Sequence, residues 1–377
     1  MNGGLFEGFE KQSAESWTEQ LKKDLRGEAL DSLLWKTQGI EGQAFYTSED
    51  LDLEPFNYDH FSQDSTLFGD RYWVNYQLVA VVNEKEANQK ALHALANGAN
   101  GILFSTSLIP DWSILMKDIQ PEYCHVSFQL DQHVDSASFF DSYKDYLVNS
   151  GKELEKIYGF SNKAHNAYSS IGHLRNLGFN IESGSNASQQ LALSMAQMID
   201  AIDQLTEAGK SKEDCLRSVF FHVSLTNDFF LEIARHRALR RLFGSVCSGY
   251  GVVDCSAEII SSTPNWTSPI DDPHSFMLQA TTQAMSAIVG GTDGLIIQPF
   301  YSVFPSNPGL AERIARNVSS ILSEESYLNK MVDPAAGSYY IERLSEDLYN
   351  QSMELLQRIE ANGGISKTDV GQLIAEA

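Results

Sequence analysis

Hydrophobic residues fall into short runs and one-sided stripes that alternate along most of the chain. Tyr72–Val82, Y-W-V-N-Y-Q-L-V-A-V-V, reads as a strand, and Glu84–Asn97 as a helix that ends at Gly98. Further strands are expected at Gly101–Phe104, Cys124–Leu130, Glu155–Gly159, Gly178–Glu182, Leu216–Leu225, Cys255–Ser261 and Gly294–Gln298. Helical stripes are expected at Ala187–Ala208, with Gly209 beyond it, and at Asp228–Phe243, Asp272–Val289 and Leu310–Leu322. Strand–helix alternation at this spacing means parallel βα units. About eight such units over roughly 250 to 300 residues predict an α/β fold, a (β/α)8 TIM barrel. A doubly wound open sheet is the runner-up. The barrel is expected to occupy 71–377.

Residues 1–70 read differently, as an extended N-terminal arm for subunit contacts. Ser13–Leu25 is a short amphipathic helix, with Trp17, Leu21 and Leu25 at i, i+4 and i+8. Leu33–Leu51 has two glycines and little periodicity. Trp17, Trp35, Phe45 and Tyr46 need a surface to lie on, either their own barrel or a second subunit. Near the other end, M-V-D-P-A-A-G-S-Y-Y-I-E-R-L (Met331–Leu344) suggests a turn at Asp333-Pro334, because the residue before a proline leaves the helical region. A short strand is expected at Tyr339–Ile341. Ser345 then caps a helix over about Glu346–Glu360, and Gly363-Gly364 ends it.

Composition narrows the function classes. The 377 residues carry 50 acids against 27 bases, a formal charge of −23. That argues against nucleic acid or an anionic membrane as partner, since both need a basic face. No apolar run approaches the ~20 residues of a membrane span, and the N-terminus lacks a signal-peptide pattern. The four cysteines (Cys124, Cys215, Cys247, Cys255) contain no C-x-x-C pair, which points to reduced thiols in the cytoplasm and to no zinc site.

Few positions carry chemistry. Function in such a barrel sits at the C-terminal ends of the strands. His173, just before the fifth strand, could act as a general acid or donate to a carbonyl, although a lone histidine is more often structural. Glu258–Trp266, E-I-I-S-S-T-P-N-W, carries the chain out of the seventh strand; Ser261, Ser262 and Thr263 there could bind phosphate or carbonyl groups, or serve as turn and cap residues. Gly290–Gly294 is a glycine run before the eighth strand, weak evidence for phosphate by itself, with Gln298 the nearest polar group. No carboxylate or metal cluster has convincing spacing.

The wording of several stretches is more specific. Met331–Leu344, together with R-I-A-R-N-V-S-S-I-L-S-E-E-S (Arg313–Ser326), R-I-E-A-N-G-G-I-S-K (Arg358–Lys367) and F-F-L-E-I-A-R-H-R-A-L (Phe229–Leu239), resembles the substrate-barrel domain of the methylmalonyl-CoA mutase family, most of all the small, or beta, subunits of its heterodimeric members. The resemblance runs from Trp17 to Gly364. It implies an adenosylcobalamin-dependent isomerisation of methylmalonyl-CoA to succinyl-CoA by a catalytic large subunit, with this chain as its non-catalytic partner in a heterodimer and the arm contacting the other subunit.

In that resemblance His173 matches the substrate-polarising histidine, with Gly172 where active subunits have tyrosine. Glu258 stands where they carry an arginine. Arg71 is kept, but the tyrosine–arginine pattern after it is replaced by the apolar first strand and Glu84. A carboxylate cannot hold another anion without a proton or metal, so Glu258 argues against substrate binding; Glu258, Ser261, Thr263 and Gln298 stand as substrate-pocket candidates and His173 as a vestigial catalytic one. The cobalamin-ligand motif D-x-H-x-x-G is absent: Asp131-Gln132-His133 and Asp272-Pro273-His274 both lack the glycine. The chain stops soon after the last barrel helix, so no cobalamin domain is expected in it and adenosylcobalamin would be bound mainly by the partner. Three assemblies stay open: this heterodimer, with a homodimer in the partner's absence; a catalytic acyl-CoA mutase chain served by a separate cobalamin-binding protein; and an unrelated TIM-barrel hydrolase or lyase.

Overall fold

The structure, a computed structural model, describes residues 13–43, 45–50, 72–163, 171–182, 186–253, 255–264, 273–301 and 306–369. Helix α1 (Ala14–Asp24) and a hairpin of β1 (Trp35–Thr37) and β2 (Ile40–Gly42) come first. They are followed by β3 (Val74–Ala80), α2 (Glu84–Leu95), β4 (Gly101–Thr106), α3 (Trp112–Leu115), β5 (His125–Leu130), α4 (Ser136–Asn149), β6 (Tyr158–Phe160), β7 (His173–Arg175) and β8 (Leu177–Ile181). The remainder is α5 (Ala187–Glu207), α6 (Lys212–Arg217), β9 (Val219–Ser224), α7 (Phe229–Gly249), β10 (Glu258–Ser262), α8 (Pro273–Gly290), β11 (Gly294–Ile296), α9 (Pro308–Glu324) and α10 (Tyr339–Ala361).

The sheet order is β5-β4-β3-β11-β10-β9-β8, all pairs parallel, and β6 pairs with β7. Phe128 of β5 bridges Ser161, the residue after β6. β7 and β8 are one strand bent at Asn176, where the N–H groups of Asn176 and Leu177 both reach the Ser218 carbonyl. The parallel sheet therefore curls into the TIM-barrel-like (β/α)8 arrangement, with a strand at or near each of the eight expected barrel positions. Local chemistry sets the helix starts: the side chains of Asn83, Asp135, Asn186, Asp228 and Asn307 each accept a backbone N–H in the first turn.

Three expectations are corrected. Tyr339–Ile341 is no strand. It is the first turn of α10, which begins at Tyr339, seven residues earlier in the chain than the Ser345 cap would allow. Ser345 lies inside the helix, its hydroxyl donating to the Ile341 carbonyl at 2.7 Å. The extended preference of the tyrosines is overridden by Glu342, whose Oε1 accepts the Gly337 N–H at 3.0 Å and so anchors the turn before the helix. The sixth strand starts at Val219 rather than Leu216, because Ser211 caps α6 just before it. Helix α4, which the sequence reading passed over, buries Phe139, Phe140, Tyr143 and Leu147.

The hairpin and helix of the N-terminal segment behave differently. The hairpin packs on its own barrel: Ile40 is buried, the Thr37 hydroxyl donates to Asp228 at 2.8 Å, and Ala187 N–H bonds the Gln38 carbonyl at 3.1 Å. Trp35 and Tyr46 lie 5.8 and 5.7 Å from the Tyr340 ring. Helix α1 buries none of its residues; Trp17 stacks on Phe45 at 4.7 Å, and the two rings stay 39% and 47% exposed.

Candidate functional site

Along each barrel strand alternate side chains face the axis. On β3 these are Val74, Tyr76 and Leu78, while Asn75 and Gln77 point out toward α9, both meeting Arg316. The inward set Val74, Tyr76, Leu103, Phe160, Phe220, Ile260 and Ile296 forms a separate buried cluster. The Phe160 ring lies 5.3 Å from Tyr76 and 5.0 Å from Phe220. Glycines make room for these rings: a Cβ on Gly101 would lie 2.4 Å from Val74, and one on Gly178 2.4 Å from Phe220. The Ser127 hydroxyl donates to the Tyr76 oxygen at 3.3 Å and accepts the Phe160 N–H at 3.0 Å, fixing both rings. The bore is therefore a packed core, closed across its middle.

The sequence-predicted residues divide between the two ends of this core. His173 is the first residue of β7 and Glu258 the first of β10, so both lie at the N-terminal end, away from the strand C-termini. His173 stacks on Tyr158 at 4.5 Å, and burial followed by nearby Arg175 lowers its pKa. Beside it, burial pushes His125 down to about 4. Glu258 pairs with Arg175 at 2.9 Å. The glycine run, too, opens β11 from the N-terminal side: Arg240 binds the Gly291 carbonyl and Asp293, and the buried Thr292 hydroxyl donates into the Ile259 and Gly294 carbonyls. Ser261 points outward; its hydroxyl meets His236 Nε2 at 2.7 Å and Thr292 at 2.8 Å in the layer beneath α7.

Thr263 and Gln298 are brought together at the C-terminal end, where the Gln298 N–H donates to the Thr263 hydroxyl at 2.9 Å. Residues that the sequence reading missed share this end. The Ser224 hydroxyl reaches Glu182 at 3.5 Å. His222, two residues along β9 from Phe220, is driven down in pKa by burial, with Glu182 opposing. The inward parity Phe220, His222, Ser224 was readable in V-F-F-H-V-S once Phe220 was known to face in. Arg71 and Trp266 lie outside the described residues. Of the two D-x-H stretches, Asp131 and His133 form a turn after β5, with Asp131 accepting the His133 N–H at 3.1 Å, while Asp272 lies outside the described residues. Among the described residues no group of three or more histidine, cysteine or acidic side chains is placed to hold a metal ion, and no helix is long and apolar enough to cross a membrane.

Glu258 gives the site a pH signature. Burial pushes its carboxyl up to about 7, with Arg175 opposing. Its ordinary value is 4.5. Between these values the unfolded chain has released the proton while the folded chain retains it, so stability falls as the pH rises through this window. Urea melts from about pH 5 to pH 8 are expected to show a loss on the order of 2–3 kcal/mol from this group. Glu258→Gln should flatten that slope, since Arg175 keeps the carbonyls of Val219 and Ser256 at 2.8 and 3.1 Å. An unchanged slope would show that Glu258 is already ionised at low pH.

The stretches with the most specific wording meet at one buried point. Arg237 of α7 is fully buried and pairs with Asp333, in the turn before α10, and with Glu342 at 2.7 Å. The F-F-L-E-I-A-R-H-R-A-L and D-P-A-A-G-S-Y-Y-I-E stretches are thus two sides of one ion-pair cluster. Residues 147–372, which contain both, match the family described as methylmalonyl-CoA mutase. The chain is 28% identical to a methylmalonyl-CoA mutase small subunit of Porphyromonas gingivalis over 404 residues, covering 96% of this chain and 65% of that one. It is 36% identical to the Streptomyces virginiae small subunit over 187 residues, 48% of this chain and 30% of that one. A methylmalonyl-CoA mutase of Escherichia coli is 33% identical over 189 residues, 49% of this chain and 26% of that one. This chain therefore spans less than two thirds of the length of these relatives. With a TIM-barrel-like fold, two diagnostic stretches joined through Arg237 and a match over 147–372, the chain belongs to the methylmalonyl-CoA mutase family.

Proposed function

We propose that this chain is the small, non-catalytic subunit of an adenosylcobalamin-dependent methylmalonyl-CoA mutase. It would pair with a catalytic large subunit that isomerises methylmalonyl-CoA to succinyl-CoA, working in the cytoplasm. The observation that carries this reading is the closed bore. Radical chemistry needs a substrate cavity shielded from water at the strand C-termini, and Tyr76, Phe160 and Phe220 fill the axis below that point. The matched substrate-site positions support it as well: His173 and Glu258 sit at the wrong end, and Glu258 is an acid where an acyl-CoA would need a cation. Adenosylcobalamin would be held mainly by the large subunit, and Thr263 and Gln298 are what remains of a polar mouth. Residues 1–70 would be the docking arm on a barrel of 71–377, with the exposed Trp17–Phe45 stack as its anchor.

The test is light scattering after size exclusion, with this chain alone and with the large subunit from the same genome. A one-to-one complex is expected, with mutase activity unchanged by His173→Ala here. Failure to form it would sink the assignment, and a homodimer alone would be the other result. Acyl-CoA turnover by this chain with a separate cobalamin-binding protein would favour the catalytic alternative. Trp17→Ala with Phe45→Ala should weaken the complex tenfold or more, as buried aromatic anchors typically cost about 2 kcal/mol or more when truncated. The melting temperature of the free chain should stay put, because neither ring is buried in it. Equal affinity for wild type and variant would remove the arm from the interface.

A further inference from the structure

A parallel sheet buried on both faces wants apolar side chains in the layer between strands and helices. Strand β3 departs from this. Asn75 and Gln77 point outward into the layer below α2 and α9, and both are buried. Asn75 donates to the Gly98 and Arg316 carbonyls at 3.0 and 3.1 Å. Beyond Gln77 the two helices part, and a cavity of about 350 Å³ opens to the surface over β3. That is the size of a small-molecule site. It lies on the outer flank of the barrel, separated from the bore by β3 itself, and the proposed function does not use it.

The charges that line this cavity are sorted by height. Both helices run from the C-terminal end of the sheet toward its N-terminal end. Glu86 on α2 and Glu312 on α9 come first, Lys90 and Arg316 follow one turn later, and His93 lies below Lys90. A turn rises about 5.4 Å, so the acids hold the upper end and the bases the lower. Arg316 is only 6% exposed. Its Nε donates to the Asn97 carbonyl at 2.8 Å and its Nη1 to Gln77 Oε1 at 3.2 Å, which fixes the guanidinium plane and leaves Nη2 to the cavity. Burial lowers its pKa, with Glu312 opposing. One Glu312 oxygen accepts the Tyr301 hydroxyl at 2.8 Å, and the other is open to a ligand. Glu86 and Lys90 have the spacing of a helical ion pair, yet among the described residues neither is in one.

We infer that this cavity between α2 and α9 binds a free α-amino acid as its zwitterion. The carboxylate lies against Arg316 and Lys90, with His93 as a further donor, and the ammonium lies against Glu312 and Glu86 one turn above. A guanidinium held in place by its own hydrogen bonds is suited to a carboxylate, because little side-chain freedom is lost when it binds. A simple anion would meet the two glutamates, and a simple cation would meet the buried Arg316; each is opposed by like charge. A ligand with both signs a few ångströms apart satisfies both ends. Its side chain runs along the apolar wall of Val79 and Ala94. The inference needs neither the partner chain nor the subunit assignment.

The test is isothermal titration of the full chain with each standard amino acid, with acetate and methylamine as single-charge probes. At least one amino acid is expected to bind one site with saturable heat and to raise the melting temperature, while acetate and methylamine at the same concentration do neither. Lys90→Ala and Glu86→Gln are the variants to use, because both side chains are exposed and the fold does not depend on them, whereas Arg316 also ties α9 to the end of α2. Each should weaken binding about threefold, the range for a partly solvated charged contact, and the double variant about tenfold. No saturable heat with any amino acid would overturn the inference. So would displacement of the amino acid by an equal concentration of acetate, which would make this an anion site only, or unchanged affinity in both variants, which would place the ligand elsewhere.

Discussion

Arg237→Ala is expected to remove about 4 kcal/mol of stability, a large share of what a domain of this kind has. The guanidinium is fully buried, and Asp333 and Glu342 converge on it from the turn before α10 and from its first turns. Removing it leaves two carboxylates of like sign in a dry pocket. Solvating the charges of a buried cluster in water is always the competing option, so the cluster need not outdo an apolar replacement; cutting one member out is the costly change. The triple variant Arg237→Met, Asp333→Asn, Glu342→Gln should therefore recover part of the loss. Urea melts of the single and triple variants check this. A single variant within about 1 kcal/mol of wild type would mean that water reaches the cluster. The loss should also loosen the turn at Gly337, whose N–H depends on Glu342.

Phe220→Ala and Phe160→Ala should each cost about 3–5 kcal/mol, the range for emptying a large ring from a closed core. The rings are 5.0 Å apart, so the double variant should cost less than the sum, because the second truncation enlarges a void that already exists. Chemical denaturation gives both numbers. If the bore were open to solvent, each change would fall below about 1 kcal/mol, and the main support for a non-catalytic role would go with it. Under that role, neither variant gains acyl-CoA isomerase activity in the free chain, which a coupled assay can follow.

Much of the fold was legible because parallel βα units write themselves plainly. The buried strands are apolar runs, and the helices carry one-sided stripes between a polar cap and a glycine, as at Asn83 and Gly98. Helix α4 was missed although Phe139, Phe140, Tyr143 and Leu147 have helical spacing, since the serines and aspartates around them read as loop. Tyr339–Ile341 was misread because local propensity is weak beside one buried acid, Glu342, that satisfies a neighbouring N–H and a guanidinium together.

The candidate site was much less legible. His173, Glu258 and the Gly290–Gly294 run stood out by residue type, yet type says nothing about which end of a strand a residue occupies. A one-residue change of parity sends a side chain to the other face, as Ser261 shows by pointing at His236 while Ser262 faces the bore side. The nearness of His222 to Glu182 gave no local signal, because the two come together only across β8 and β9.

What the chain determined by itself was the alternation of strand and helix and the wording of the stretches around Arg237 and Asp333; both depend on near neighbours and on residue identity. Tertiary structure alone decided that those two stretches share one ion-pair cluster, that the bore is filled, and that His173 and Glu258 lie at the N-terminal end while Thr263 and Gln298 meet at the other. These are contacts between residues far apart in the chain or across a bend. Their energies come from burial and distance, quantities that do not exist until the barrel has closed.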